Sequence, residues 1–195
     1  MLIFGLGNPG MKYRWTRHNA GFLFVSFWAK KYRKHFVNFG SYAQAIIKID
    51  GRTVRLIKPL LYMNHSGMVV AEAIEKERRF PEEGILVVVD DLNLPLGRLR
   101  LRAQGSDGGH LGLRSIIEAL QTEDFPRLRI GVANQDFLAR RIDAAEFVLS
   151  PFTDEEKKVI KEVITKGIEG LEILITQNLE KAQNFINSLN LQIQE

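Results

Sequence analysis

The chain has 195 residues, is 45% apolar and contains no cysteine, which excludes disulfides, thiolate metal sites and cysteine nucleophiles and disfavours intrinsic disorder. Its 27 Lys and Arg against 23 Asp and Glu give +4, but residues 1–60 hold eleven basic side chains and one acid, Asp50, so that third carries +10 against −6 for the rest. Such asymmetry makes a polyanion a candidate partner.

No stretch nears the roughly 18 apolar residues of a membrane span, and Gly and Pro interrupt the start too early for a secretory core. These features predict a soluble, cytoplasmic protein with no membrane partner. The length predicts one domain over residues 1–195.

In chain order, Leu2 to Leu6 is a short apolar run stopped by glycine, which predicts a buried strand. Helical spacing follows at Phe22, Val25, Trp28, Ala29 and Tyr32. Tyr42 to Ile49 and Thr53 to Ile57 flank Asp50-Gly51, a favoured hairpin pair, so the sheet is expected to be mixed. A second helix is predicted over Met68 to Ile74, a second buried strand over Ile85 to Val89, and a third helix around Leu113, Ile116, Ile117 and Leu120. Alternation of this kind predicts an α/β three-layer sandwich, a twisted mixed sheet with helices on both faces and functional groups at the carboxyl ends of strands. From Thr153, a Thr-x-x-Glu capping box precedes a long amphipathic helix that Gly167 and Gly170 should weaken or kink, and Gln177-Asn178 should divide it from a last helix, giving a helical segment over about 153–189.

Gly5-Leu6-Gly7-Asn8-Pro9-Gly10 satisfies the dinucleotide pattern G-x-G-x-x-G after a strand. However, helical spacing starts only near Gly21 and no acid precedes Asp50 to hold a ribose, so a dinucleotide site is the weaker reading and no cofactor is expected. His18 lies just before a predicted helix, near Asn8, while Asp90-Asp91 ends another strand: the layout of a base and its orienting carboxylate. No G-x-S-x-G elbow offers a serine nucleophile, and His18, His35, His65 and His110 lack H-x-H or H-E-x-x-H spacing. Water, without a metal, is the expected nucleophile, acting on an activated bond such as an ester.

Arg98, Arg100 and Arg102 alternate with leucines, and Arg127 and Arg129 repeat the arrangement. As strands, each places its guanidiniums on one face, either as a solvated edge or, with Lys30, Lys31, Arg33 and Lys34, as a phosphate-binding surface. Tyr13, Trp15 and Tyr62 are candidate stacking faces for unpaired bases. The loop Gly105-Ser106-Asp107-Gly108-Gly109-His110 is a candidate anion contact or lid.

Segments 5–22 (GLGNPGMKYRWTRHNAGF), 58–67 (KPLLYMNHSG), 87–102 (VVVDDLNLPLGRLRLR), 108–117 (GGHLGLRSII) and 125–132 (FPRLRIGV) together resemble the bacterial peptidyl-tRNA hydrolases of the single-domain α/β type. The resemblance implies a monomer that cleaves the ester between a peptide and the 3′ ribose of tRNA, recycling tRNA from abandoned translation products. It further implies that His18 is the catalytic base, Asp90 its orienting carboxylate, and Asn8 and Asn64 the amides near the ester. Tyr13 and Met63 would line the cleft, and Arg102 and Arg129, with Arg100 alongside, would contact the tRNA acceptor end. His110 and Leu111 fall in the family's GGHNGL segment, but Leu111 replaces the usual asparagine. Either Asn93 or Gln104 supplies the missing polar group, or peptide binding is weakened, or the chain is a non-catalytic RNA-binding relative of the splicing-factor kind.

Overall fold

The apolar runs at Leu2 and Ile85 become neighbouring central strands. In the computed structural model, which describes residues 1–77, 84–139 and 142–191, seven strands form one sheet: β1 (Leu2–Gly5), β2 (Val37–Asn38), β3 (Tyr42–Ile49), β4 (Arg52–Pro59), β5 (Ile85–Pro95), β6 (Leu99–Arg102) and β7 (Arg127–Ala133). Their order is β2-β3-β4-β1-β5-β7-β6. Strands β4, β1, β5 and β7 run parallel, the β3–β4 hairpin turns at Asp50-Gly51, and β2 and β6 close the two edges antiparallel. The expected mixed sheet is therefore present.

Side-chain alternation sends Ile3, Leu86 and Val88 to one face, under α1 (Ala20–Lys31), α6 (Asp154–Thr176) and α7 (Leu179–Ser188). Leu2, Phe4, Val87 and Val89 go to the other, under α2 (Ser66–Lys76) and α3 (Leu111–Leu120). Burial on both faces explains why β1 and β5 are unbroken apolar runs, each such side chain contributing about 1.5–3 kcal/mol. Two short helices, α4 (Gln135–Leu138) and α5 (Ala144–Leu149), occupy a stretch where the periodicity predicts no element.

Four sequence features take a form that spacing alone does not give. Strand β5 does not end at Asp90; it continues to Pro95 with a register shift after Asp91, because β7 goes on pairing with it beyond the end of β1. Since β1 stops opposite Val88, Asp90 stands in a notch where one neighbouring strand has finished. The glycine motif serves close packing. A Cβ on Gly21 would lie 2.3 Å from the Val88 carbonyl oxygen and 2.4 Å from the Leu6 nitrogen, while one on Gly5 would lie 2.2 Å from the Gly21 carbonyl oxygen. The first turn of α1 thus packs directly on the end of β1, and Gly21→Ala would force helix and strand apart. The third concerns α6, which is one helix over residues 154–176: Gly167 admits Phe24 and Gly170 admits Ile186, so both glycines mark contacts and not a break. The fourth is Arg127, which is buried instead of displayed on a charged face. It donates to the carbonyls of Gly105, of Ser106 at 3.3 Å and of Glu123 at 2.9 Å, pinning the loop before α3.

Candidate active site

The parallel strands deliver their following loops to one end of the sheet, where a cavity of about 830 Å³ opens. Asn8 arrives on the loop after β1, His18 on the single turn Arg17–Asn19 leading into α1, and Asp90 within β5. His110 arrives as the N-cap of α3.

Asp90 is buried and accepts from both histidines. The His18 Nδ1–H donates to its two oxygens at 2.9 and 3.0 Å, and the His110 Nε2–H donates to Oδ1 at 3.1 Å. The Leu113 backbone N–H donates to His110 Nδ1 at 3.2 Å, so that nitrogen carries no proton and His110 must present its Nε2–H to Asp90. His18 spends Nδ1–H on Asp90 and keeps Nε2 free as a proton acceptor at the cavity wall. Burial opposes charge on Asp90, yet the charges and hydrogen bonds of His18 and His110 hold its carboxyl well below the usual carboxylate range. For His18, burial likewise works against the cation, and the charge and hydrogen bond of Asp90 outweigh it, raising the imidazole above its ordinary value.

Sequence spacing does not reveal that His18 and His110 meet at one carboxylate. Together with Asp90 they bring potential metal-donor atoms within 4.8 Å of one another. The nitrogens facing Asp90 are engaged in N–H···O bonds and His110 is held from behind by Leu113, so the donor set fits a hydrogen-bonded triad.

Asn8 is oriented just as firmly. Its Oδ1 accepts from the Met63 backbone N–H at 3.0 Å, which turns Nδ2 toward the cavity as an unspent donor. Its backbone exchanges two bonds with the Asn19 side chain, at 2.8 and 2.9 Å. Asn19 is buried and was not singled out from sequence; the available signal was an Asx residue at the N-cap of α1.

Beside the histidine, Arg17 is 3% exposed, and its Nη2 donates to both Glu156 carboxylate oxygens at 2.6 and 2.7 Å. It also donates to the Pro151 carbonyl at 2.7 Å and lies 4.2 Å above the Phe147 ring. Glu156 meanwhile closes the capping box of α6 by accepting from the Thr153 N–H at 2.8 Å. One carboxylate therefore ties the turn carrying His18 to α6.

Of the remaining expected residues, Met63, Asn64, His110, Leu111 and Arg129 line the cavity. Leu111 is 52% exposed there, and Asn93, one of its two candidate stand-ins, lines the same wall while Gln104 does not. Arg129 lies 3.3 Å from Asp91, and its guanidinium crosses Gly108, whose φ of +58° and closeness to Nη2 exclude a side chain. Arg100 and Arg102 are exposed on edge strand β6, outside the cavity, with Arg100 opposite Arg129 in register. Tyr13, on the turn Met11–Tyr13, stands outside the cavity lining, its ring 4.7 Å from the Lys12 ammonium. Phe137, Ala144, Val148 and Leu149 make an apolar wall from α4 and α5.

A sequence model of the family described as peptidyl-tRNA hydrolase matches residues 2–194. The peptidyl-tRNA hydrolase of Thermotoga petrophila is 42% identical over 193 residues, covering 99% of this chain and all of that protein. The one from Aquifex aeolicus is 42% identical, covering 97% of each chain. A crystal structure of peptidyl-tRNA hydrolase from Acinetobacter baumannii superposes with a TM-score of 0.88 at 34% identity, covering 98% of this chain and 96% of that one.

Proposed function

Since this chain belongs to the peptidyl-tRNA hydrolase family, we propose that it hydrolyses the ester between a peptide and tRNA by attack of water, with His18 as general base. The observation that carries this reading is the open Nε2 of His18, whose other nitrogen is bound to Asp90, facing a cavity that also receives the Asn8 amide.

Water attacks the ester carbonyl carbon while His18 Nε2 takes its proton. A base of this kind contributes roughly 10² to 10⁴ in rate. Asp90 stabilises the resulting imidazolium and fixes the tautomer, and His110 steadies Asp90 from the other side. The oxyanion that forms is stabilised by the Asn8 Nδ2–H, where loss of one such donor typically costs about 3 kcal/mol. When the intermediate collapses, the C–O bond to the ribose breaks and the imidazolium returns its proton to the leaving 3′ oxygen. The products are a peptide carboxylic acid, which gives its proton to solvent to become the carboxylate, and a tRNA with a free terminal hydroxyl. Asn64 is assigned to holding the peptide next to the ester, and Arg129, with Arg100 and Arg102 on the adjacent edge, to phosphates at the acceptor end.

No observation favours a non-catalytic RNA binder or a dinucleotide protein. His18 and His110 both hydrogen-bond Asp90, and Gly5 and Gly7 pack against Gly21 and Phe22 of α1. The test compares release of an N-blocked aminoacyl group from tRNA with release of a free aminoacyl group, with and without a chelator. Fast release of the blocked group, unaffected by chelation, is expected. Tight tRNA binding with no release contradicts the reading.

A further inference from the structure

Residues 1–49 contain no carboxylate, and three cations at one end of the sheet remain without one. Lys58, near the end of β4 and opposite Ala43 of β3, extends between two rings, its ammonium 4.1 Å from the Phe36 centroid and 5.7 Å from that of Phe22. Phe22 packs against Gly7, where an added Cβ would lie 2.6 Å from the ring. A single aromatic side chain thus separates Lys58 from the loop that carries Asn8. Arg14 stands beside it, and burial first, then the Arg14 charge, pulls the ammonium down to about 8 from 10.5. Lys12, two residues earlier, lies over Tyr13 at 4.7 Å. Among the described residues, none of Lys12, Arg14 and Lys58 has a side-chain hydrogen bond or ion pair; the contacts of the two lysines are with aromatic rings.

Two like charges, one of them largely desolvated, repel each other unless an anion joins them. The strand order places β4 on one side of β1 and β5, and β7 with β6 on the other, so this cluster and the Arg129 cluster flank the catalytic loop from opposite sides. We infer that Lys12, Arg14 and Lys58 bind phosphodiester groups of the unpaired RNA next to the esterified ribose, gripping the substrate on the flank opposite Arg129. The inference rests on the peptidyl-tRNA reading. Phe36 and Tyr13, already stacked on cations, give the site a face that tolerates nucleobases as well.

The experiment measures kcat and KM for a peptidyl-tRNA over a range of KCl concentrations, for wild type, Lys58→Met, Arg14→Gln and Lys58→Arg. Each of the first two variants should raise KM by about three- to tenfold with kcat within twofold, and should lower the slope of log(kcat/KM) against log salt by about 0.7 per lost contact. Lys58→Arg should restore the slope. Arg14 is exposed, so its variant tests the idea independently of any change in the packing around Phe22 and Phe36. Unchanged KM and slope in Arg14→Gln and Lys58→Met overturn the inference, as does a fall in kcat alone, which would indicate a packing effect through Phe22. Absence of cleavage by wild type would instead overturn the hydrolase reading.

Discussion

Replacing Asp90 by asparagine changes one oxygen to an NH2 and should invert the tautomer of the base. In the native site two N–H donors converge on the carboxylate, from His18 Nδ1 and His110 Nε2. A carboxamide offers one acceptor and one donor. His110 cannot give way, because the Leu113 N–H occupies its Nδ1 and fixes the proton on Nε2. The oxygen of the new carboxamide then turns to His110, its NH2 faces His18, and His18 accepts at Nδ1 and carries its proton on Nε2, the nitrogen that must be free. Misassigned tautomers of this kind cost about 10⁴ in kcat, or roughly 5.5 kcal/mol of barrier. The acid limb of the rate profile should move as well. Wild type loses activity as pH falls through a His18 value raised above 6.5; without the Asp90 charge only the burial that lowers it remains, so the limb shifts to lower pH. His110→Ala in the Asp90→Asn background frees the amide to rotate, so the double variant should be more active than the single one. Steady-state hydrolysis of a peptidyl-tRNA from about pH 5 to about pH 9 checks each point, a window that spans the ordinary histidine value. If Asp90→Asn keeps its activity within tenfold, or the limb stays in place, Asp90 does not set the tautomer of His18.

Arg17→Ala strands the Glu156 carboxylate in a buried site and should destabilise the fold by about 3–5 kcal/mol, read by denaturant unfolding; Glu156→Gln, which can still cap α6, should cost less. Asn19→Ala leaves the Asn8 N–H and C=O without partners, so stability should fall by about 1–3 kcal/mol and kcat by about tenfold or more as the amide loses its aim; an unchanged kcat would separate the two asparagines. Lys58 has a folded value pulled down to about 8, so the unfolded chain binds more protons between pH 8 and 10.5 and stability should rise across that window. Lys58→Met removes this rise and is expected to be more stable than wild type at neutral pH, by up to roughly 3 kcal/mol in chemical denaturation.

The alternation of short apolar runs with helical spacing was enough to read a mixed α/β sandwich, because β1 and β5 are buried on both faces and say so in consecutive residues. His18, Asn8 and Asp90 were legible because each stands beside the end of an apolar run, where parallel strands put their loops together. The extension of β5 past Asp90 was not, since the residues beyond Asp91 pair only with β7, a strand distant in the chain. Arg127 and Arg129 have the same sequence pattern and opposite fates: four backbone carbonyls, of Gly105, Ser106, Glu123 and Phe125, enclose one and the cavity admits the other. Helices α4 and α5, at four and six residues, are too short to show a period, so the apolar wall they make was missed. His110 could be placed before α3, but its meeting with Asp90 depends on the twist of the sheet and leaves no local trace.

In the proposed reaction His18 takes the proton from the attacking water. The most direct test of that step is single-turnover release of peptide from saturating His18→Ala, with tRNA affinity measured on the same preparation. Loss of roughly 10² or more in the release rate with affinity within about twofold is the predicted result. Release at the wild-type rate would contradict it.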